Sequence, residues 1–258
     1  MIEQKYIMGG SNPSMYGILD GCCKGMHWSC RENDLVLDVL YSYCVGGCGV
    51  VGIIPDGKEI EAKKFFESVF EALRNENINE FEFSAEEEHL SKQILSIFSD
   101  REIYSEQEYS FRRNRECVSE IAIQDYGFIE VDQVFLEEID SYENSEMLTV
   151  RIDESWYSTE DFLKYSKAIV AVNEKRIVGV IFGSARFKNV IDIDIEVLEE
   201  HRNKGIAKRL TTYFVNACIK KDCITQWDCV ESNMASRKVA EGCGFSLFKK
   251  RPFYWFSI

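Results

Sequence analysis

The 258-residue sequence has little of what a metalloprotein, a membrane protein or a nucleic-acid-binding protein needs. It holds only three histidines, His27, His89 and His201, and none of its ten cysteines forms a Cys-x-x-Cys pair. Cys22, Cys23 and Cys30, or Cys44 and Cys48, lack zinc-ligand spacing, so no metal site is expected. No apolar run approaches the roughly 18 residues of a membrane span. The longest, over 43–54, is broken by Gly46, Gly47, Gly49 and Gly52. Residues 1–10 carry no apolar segment of secretory-signal length. A cytoplasmic protein with reduced, mostly buried thiols, Cys117 among them, is therefore expected, with no membrane partner. Basic residues are in deficit: 30 Lys and Arg against 44 Asp and Glu leave a net charge of −14. Such a surface repels phosphate and argues against a nucleic-acid partner. It suits a cationic amine substrate, and it equally suits simple solubility.

What is present is core-forming material, 45% hydrophobic and 13% aromatic residues, enough for one large or two smaller domains. The first half reads as one or two strands over 35–54, a turn at Pro55-Asp56-Gly57 and an amphipathic helix over 61–74. Phe65, Phe66, Val69, Phe70 and Leu73 share one helix face. A strand over 78–83 leads to Ser84, which with Glu87 forms a capping box for the next helix, and a strand over 103–113 follows. The second half repeats that order without repeating residues. A strand over 127–131, a short helix over 134–139 and a helix from Ser158 or Thr159 precede strands over 168–172, 177–185 and 190–197. A helix over 205–220, a strand over 223–230, a helix over 235–241 and closing strands complete it. The expected fold is α/β, a mixed twisted sheet with helices on both faces. The boundary falls near 116–124, dividing the chain into 1–120 and 121–258.

The informative stretch is 197–207, Val-Leu-Glu-Glu-His-Arg-Asn-Lys-Gly-Ile-Ala, a strand end, a loop and a helix start. Amides at a helix start have no intrahelical partner and lie at the positive end of the macrodipole. A pyrophosphate fits there. Gly205 permits close backbone approach, and Arg202, Asn203 and Lys204 add donors and positive charge. Upstream, Asp192, Asp194 and Glu196 alternate with Ile191, Ile193, Ile195 and Val197, which puts three carboxylates on one strand face. That face supplies a general base and an anionic pocket, or it simply reaches solvent or pairs with Lys and Arg.

The stretch resembles motif A of the GNAT acetyltransferases, Arg-x-x-Gly-x-Gly/Ala opening a long helix after a hydrophobic strand. Trp227-Asp228-Cys229, Asn233-x-x-Ser236 and Gly244-Phe245 extend the likeness over about 177–254 and look most like the zwittermicin-resistance-type branch. The resemblance implies acetyl-CoA as cosubstrate, bound by Ile195, Val197, Arg202, Asn203, Lys204, Gly205, Ile206, Ala207, Asn233 and Ser236. It implies direct attack by a small-molecule amine, with Glu196 and Asp194 as candidates for proton transfer and a backbone amide near Val197 as oxyanion donor. Many members place a Tyr seven residues after the Asn, whereas here that position is Ala240. Tyr254 and Tyr213 are the nearest substitutes for an acid, or core aromatics. The N-terminal half lacks the phosphate-loop motif and is expected to wall the acceptor cleft. A homodimer is compatible with this reading. The rival reading is a non-catalytic acyl-CoA-binding regulator.

Overall fold

The computed structural model describes residues 12–32, 34–116 and 123–258. Residues 1–10, Cys117 and most of the expected boundary lie outside the described residues. Pro13–Leu19 form α1, followed by strands β1 (Gly25–Glu32), β2 (Leu35–Ser42) and β3 (Gly47–Ile53). Helix α2 (Glu59–Asn75), β4 (Glu80–Ala85), α3 (Glu88–Ile97) and β5 (Tyr104–Arg113) complete the first half. The second opens with β6 (Gly127–Glu130), α4 (Gln133–Glu137), α5 (Glu146–Ser155) and α6 (Thr159–Tyr165). It continues with β7 (Ala168–Asn173), β8 (Arg176–Phe187), β9 (Val190–Val197) and α7 (Ile206–Ile219). It closes with β10 (Ile224–Val230), α8 (Met234–Gly242) and β11 (Ser246–Ser257).

The strands join one mixed eleven-stranded sheet in the order β1-β2-β3-β4-β11-β5-β10-β9-β8-β7-β6. The halves share more than element order. The pairs β3/β4 and β9/β10 are parallel, each over three residue pairs, and each is bridged by a long helix, α2 or α7. The final strand of each half is exchanged: β11 lies against β4, and β5 lies against β10. β5 and β11 then pair with each other.

Alternation along the strands divides the second half's core. Ile169 and Ala171 of β7 pack with Ile191, Ile193 and the α7 residues Leu210, Phe214 and Val215. Ala168, Val170 and Val172 face the other way, toward Leu148 and Ile152 of α5, Phe162 of α6, and Met15 and Tyr16 of α1. In the first half, Phe66, Val69, Phe70 and Leu73 form the buried face of α2 and meet Phe81, Phe83 and Phe256. The Arg101 guanidinium lies over the rings of Phe70 (5.3 Å), Phe98 (5.5 Å) and Phe256 (5.3 Å).

Several elements depart from the sequence reading. Ser84 does not cap a helix: it belongs to β4, is buried, and pairs in parallel register with Gly49. Helix α3 starts at Glu88 with no side-chain cap. α1, β1 and α5 are additional elements. α1 is built on local signals, a proline in its first turn and Asn12, whose Oδ1 accepts from the Met15 amide at 3.0 Å. A Cβ at Gly17 would come within 2.5 Å of the Arg186 carbonyl oxygen, so glycine lets α1 lie directly on β8.

Candidate active site

β9 and β10 pair only at Ile224↔Val190, Thr225↔Ile191 and Gln226↔Asp192. Beyond Asp192 and Gln226 they separate, which leaves the β9 edge from Ile193 onward without a strand partner on that side. The gap opens into a cleft of about 750 Å³ lined by β9, the loop before α7, β10 and α8.

The sequence-selected residues converge on this cleft. Asp194, Ile195, Glu196, Val197, Arg202, Asn203, Gly205, Ile206, Ala207, Asn233 and Ser236 all line it. Asn203 (φ +61°) and Gly205 (φ +83°) both occupy the left-handed region, which turns the chain sharply into α7. Gly205 is the N-cap, and among the described residues no side chain caps the helix. Among the described residues a Cβ there would meet only Ile123 Cδ1, at 3.6 Å. Arg202 Nε donates to the Val197 carbonyl at 3.0 Å, bracing the loop against the strand end. Asn233 Oδ1 accepts from the Ser236 amide at 3.0 Å and caps α8, while the Ser236 hydroxyl accepts from Trp227 Nε1 at 2.8 Å. Lys208 and Lys238, which the motif reading did not select, add two cations to the lining beside Arg202. An open helix start, three cations and a long groove with an unpaired strand edge fit a diphosphate carrying an extended amide arm.

Two selected residues are placed elsewhere. Lys204 does not line the cleft; its ammonium donates to the Tyr126 hydroxyl at 3.3 Å, and that hydroxyl also bonds His201 Nδ1 at 2.9 Å. Tyr254 stacks on Phe83 with ring centroids 5.4 Å apart, within the aromatic cluster of the first half. Its position on β11, between β4 and β5, removes it from the cleft lining. Tyr213 hydroxyl accepts from Arg209 at 2.6 Å, also outside the lining. Ala240 is fully buried in the α7-side core. Burial pushes the Cys229 thiol up, which disfavours the thiolate a nucleophile needs.

The carboxylate row on β9 is split by its partners. Arg151 of α5 donates from Nε to Asp194 Oδ2 at 2.7 Å and from the guanidinium end to Glu196 Oε2 at 2.8 Å. Arg151 also donates to the Met147 carbonyl at 2.7 Å. Among the described residues no cation is bonded to Asp192. It is 5% exposed, and its Oδ1 accepts from the adjacent Ile193 amide at 3.1 Å. Burial raises its pKa well above the ordinary aspartate range, with Asp228 and Glu108 reinforcing the shift and Arg251 opposing it. Arg251 of β11, 4% exposed, binds Glu108 and also Asp228, the latter at 3.1 Å. Four strands, β5, β9, β10 and β11, thus meet at a buried ionic group beside the point where the cleft opens.

The family model described as GNAT acetyltransferase matches residues 42–254. An uncharacterized N-acetyltransferase of Bacillus subtilis, YdfB, is 24% identical over 103 residues, a match spanning 40% of each protein. A GCN5-related N-acetyltransferase-like protein from Streptococcus suis shares the fold with a TM-score of 0.64 at 16% identity, over 90% of this chain and 88% of its own. A tandem GNAT protein from the clavulanic acid biosynthesis pathway superposes with a TM-score of 0.58 at 11% identity, over 92% and 83%. No helix among the described residues is long and apolar enough to cross a membrane. With a family model covering most of its length and the parted β9/β10 pair facing an uncapped helix, this chain belongs to the GNAT acetyltransferase family.

Proposed function

We propose that the protein transfers the acetyl group of acetyl-CoA to the amine of a small molecule, by direct attack with both reactants held together. The observation that carries this reading is the open start of α7, whose N-cap Gly205 has no side-chain cap and faces a 750 Å³ cleft. In this reading the first-turn amides and Arg202, Lys208 and Lys238 hold the diphosphate. The unpaired edge of β9 from Ile193 to Val197 holds the pantetheine arm, and a backbone amide near Val197 stabilises the oxyanion that develops on the thioester. Juxtaposition supplies much of the rate. Burial of Ala240 leaves no hydroxyl at the position that many family members use as an acid. The thiolate then leaves without an enzymic proton donor, its proton coming from the attacking nitrogen.

Calorimetry with CoA tests the cofactor half of the proposal: saturable heat is expected, and none at millimolar CoA would overturn it. Thiol release from acetyl-CoA with an amine panel tests the chemistry. Binding of CoA without release for any amine would favour a non-catalytic acyl-CoA-binding role.

A further inference from the structure

The loop between α1 and β1 holds two adjacent thiols that acetyl transfer does not use. Cys22 is half-buried, and Cys23 is 3% exposed. Their sulfurs lie 3.8 Å apart. The backbone of Arg186, near the end of β8, holds both. The Cys22 thiol donates to the Arg186 carbonyl at 2.9 Å, which the Cys23 thiol also reaches at 3.5 Å. The Cys23 sulfur accepts from the Arg186 amide at 3.2 Å. On the other side, the Cys22 and Cys23 amides both donate to the Gly17 carbonyl of α1, at 3.0 and 3.1 Å. The thiol pair therefore joins α1 to β8. Glycine at 17 makes room for it, since a Cβ there would come within 2.4 Å of Cys23 Sγ.

Two sulfurs in contact, one of them reached by solvent, are placed for thiol–disulfide exchange. A hydrogen bond from Cys23 lowers the Cys22 pKa from the ordinary thiol value, against the opposing effect of burial. The more accessible sulfur is thus also the attacking one. The same contact and burial raise the pKa of Cys23, which stays a thiol until Cys22 has reacted. A disulfide between neighbours in sequence spans Cα atoms about 3.8 Å apart, below the roughly 4.4–6.8 Å of ordinary disulfides. Such a bond is strained and easily reduced, which suits reversible closure and not a permanent staple. Its ring encloses almost no chain, so it gains little by restricting the unfolded state. Closure also consumes the hydrogen that Cys22 gives to Arg186, which removes one tie between the loop and β8.

We propose that Cys22 and Cys23 form a reversible oxidation site for small organic disulfides, and that its closure loosens α1 on the sheet. The inference does not rest on the acetyl-transfer reading. The electrons balance in two exchanges. Cys22 gives its proton to water and its sulfur attacks one sulfur of R–S–S–R. That S–S bond breaks, and R–S⁻ leaves with the electron pair and is protonated. Cys23 then loses its proton and attacks Cys22 Sγ in the mixed disulfide, and the second R–S⁻ leaves and is protonated. The pair is oxidised by two electrons, and the organic disulfide is reduced to two thiols. Met15 and Tyr16 of α1 share a core with Leu148 and Ile152 of α5 and Phe162 of α6, so a loosened α1 lowers the stability of the second half.

Cystamine is the probe, read by peptide mass mapping and amide exchange of the full chain. In the native protein Cys22 and Cys23 should together lose two hydrogens and retain no cysteaminyl group, and dithiothreitol should restore them. Exchange of the α1 amides should quicken about fivefold, as expected for one lost hydrogen bond. The melting temperature should fall by about 2–4 °C for the same reason. Cys22→Ser keeps a donor for Arg186 and should show neither the mass change at the pair nor the cystamine effect on α1. Cys23→Ser should keep a cysteaminyl group on Cys22; if that buried change prevents folding, the native protein and Cys22→Ser still decide. A pair that stays reduced, or a cysteaminyl group that persists on Cys22 of the native protein, overturns the proposal. So does pairing of Cys22 or Cys23 with another cysteine such as Cys44. Closure without faster α1 exchange, or an equal α1 effect in Cys22→Ser, overturns it as well.

Discussion

Asp192 and Gln226 are the last pair joined across β9 and β10 before the strands diverge. Gln226 turns its amide to Asp228 at 3.1 Å, and its carbonyl oxygen accepts from Arg112 at 2.9 Å. The side chain of Gln226 thus ties β10 to β5 at the vertex of the cleft, and the cleft opens beyond the last β9/β10 backbone pair.

The helix start is the first place to test. Gly205→Glu would put a carboxylate and a strained left-handed residue at the N-cap, where the diphosphate is expected. CoA affinity measured by calorimetry should fall at least about a hundredfold, which is about 2.7 kcal/mol, while the far-ultraviolet circular dichroism stays native. Undiminished affinity would remove the phosphate assignment from this loop.

Stability should depend on pH through Asp192. Its folded-state value is raised above the ordinary 3.8, first by burial and then by Asp228 and Glu108. Between those two values the native state keeps a proton that the unfolded state has lost. Stability is therefore lost as pH rises through that window. Burial raises Glu108 in the same direction, so Asp192→Asn should flatten the slope without abolishing it. Urea midpoints at pH 5 and pH 8 should show the variant gaining on the native protein at the higher pH. A gap that shrinks instead would mean Asp192 is stabilised in its ionised form.

Arg151→Met should cost about 1–2 kcal/mol. Two charge-assisted bonds are lost at a site that is only partly shielded from water. The mutation also releases α5 from β9 and leaves Asp194 and Glu196 repelling each other. Chemical denaturation in low and high salt checks this, since the loss should shrink as salt screens the released carboxylates.

Ala240→Tyr should not restore a proton donor. The Ala240 side chain is fully buried among the α7-side residues, so a phenol there overpacks a filled core. A loss of about 1–3 kcal/mol or more is expected, with no gain in kcat. A soluble, active variant with raised turnover would show that α8 can rotate to present the ring.

How much of this was legible depended on sequence distance. The strand over 190–197 and the glycine-led helix are local, so spacing identified them, whereas Asn233 came with the family resemblance. The three-carboxylate face of β9 was also legible from period two. The partner that separates those carboxylates was not: Arg151 lies 43 residues before Asp194, on a helix that the sequence reading omitted. Tyr254 shows the same limit. Alternation marks it as a strand residue, but nothing local says that β11 inserts between β4 and β5. Strand register and neighbours across a sheet are settled by the global packing of faces, which one strand's own sequence does not carry. Ser84 was misread for a related reason: a capping-box pattern is outweighed when parallel pairing and burial claim the same residue.

The exchanged strands have a consequence for how the molecule is made. A nascent chain that has emerged as far as β5 presents β4 and β5 as two raw edges, because the strand that seals both spans residues 246–257. Such contacts between distant parts of the chain are slow to form, and open edges recruit neighbouring polypeptides meanwhile. Maturation should therefore resemble the closing of a clasp rather than the successive ripening of two modules. Arg251 travels on the closing strand, so Glu108 and Asp228 acquire this counterion only at that final event.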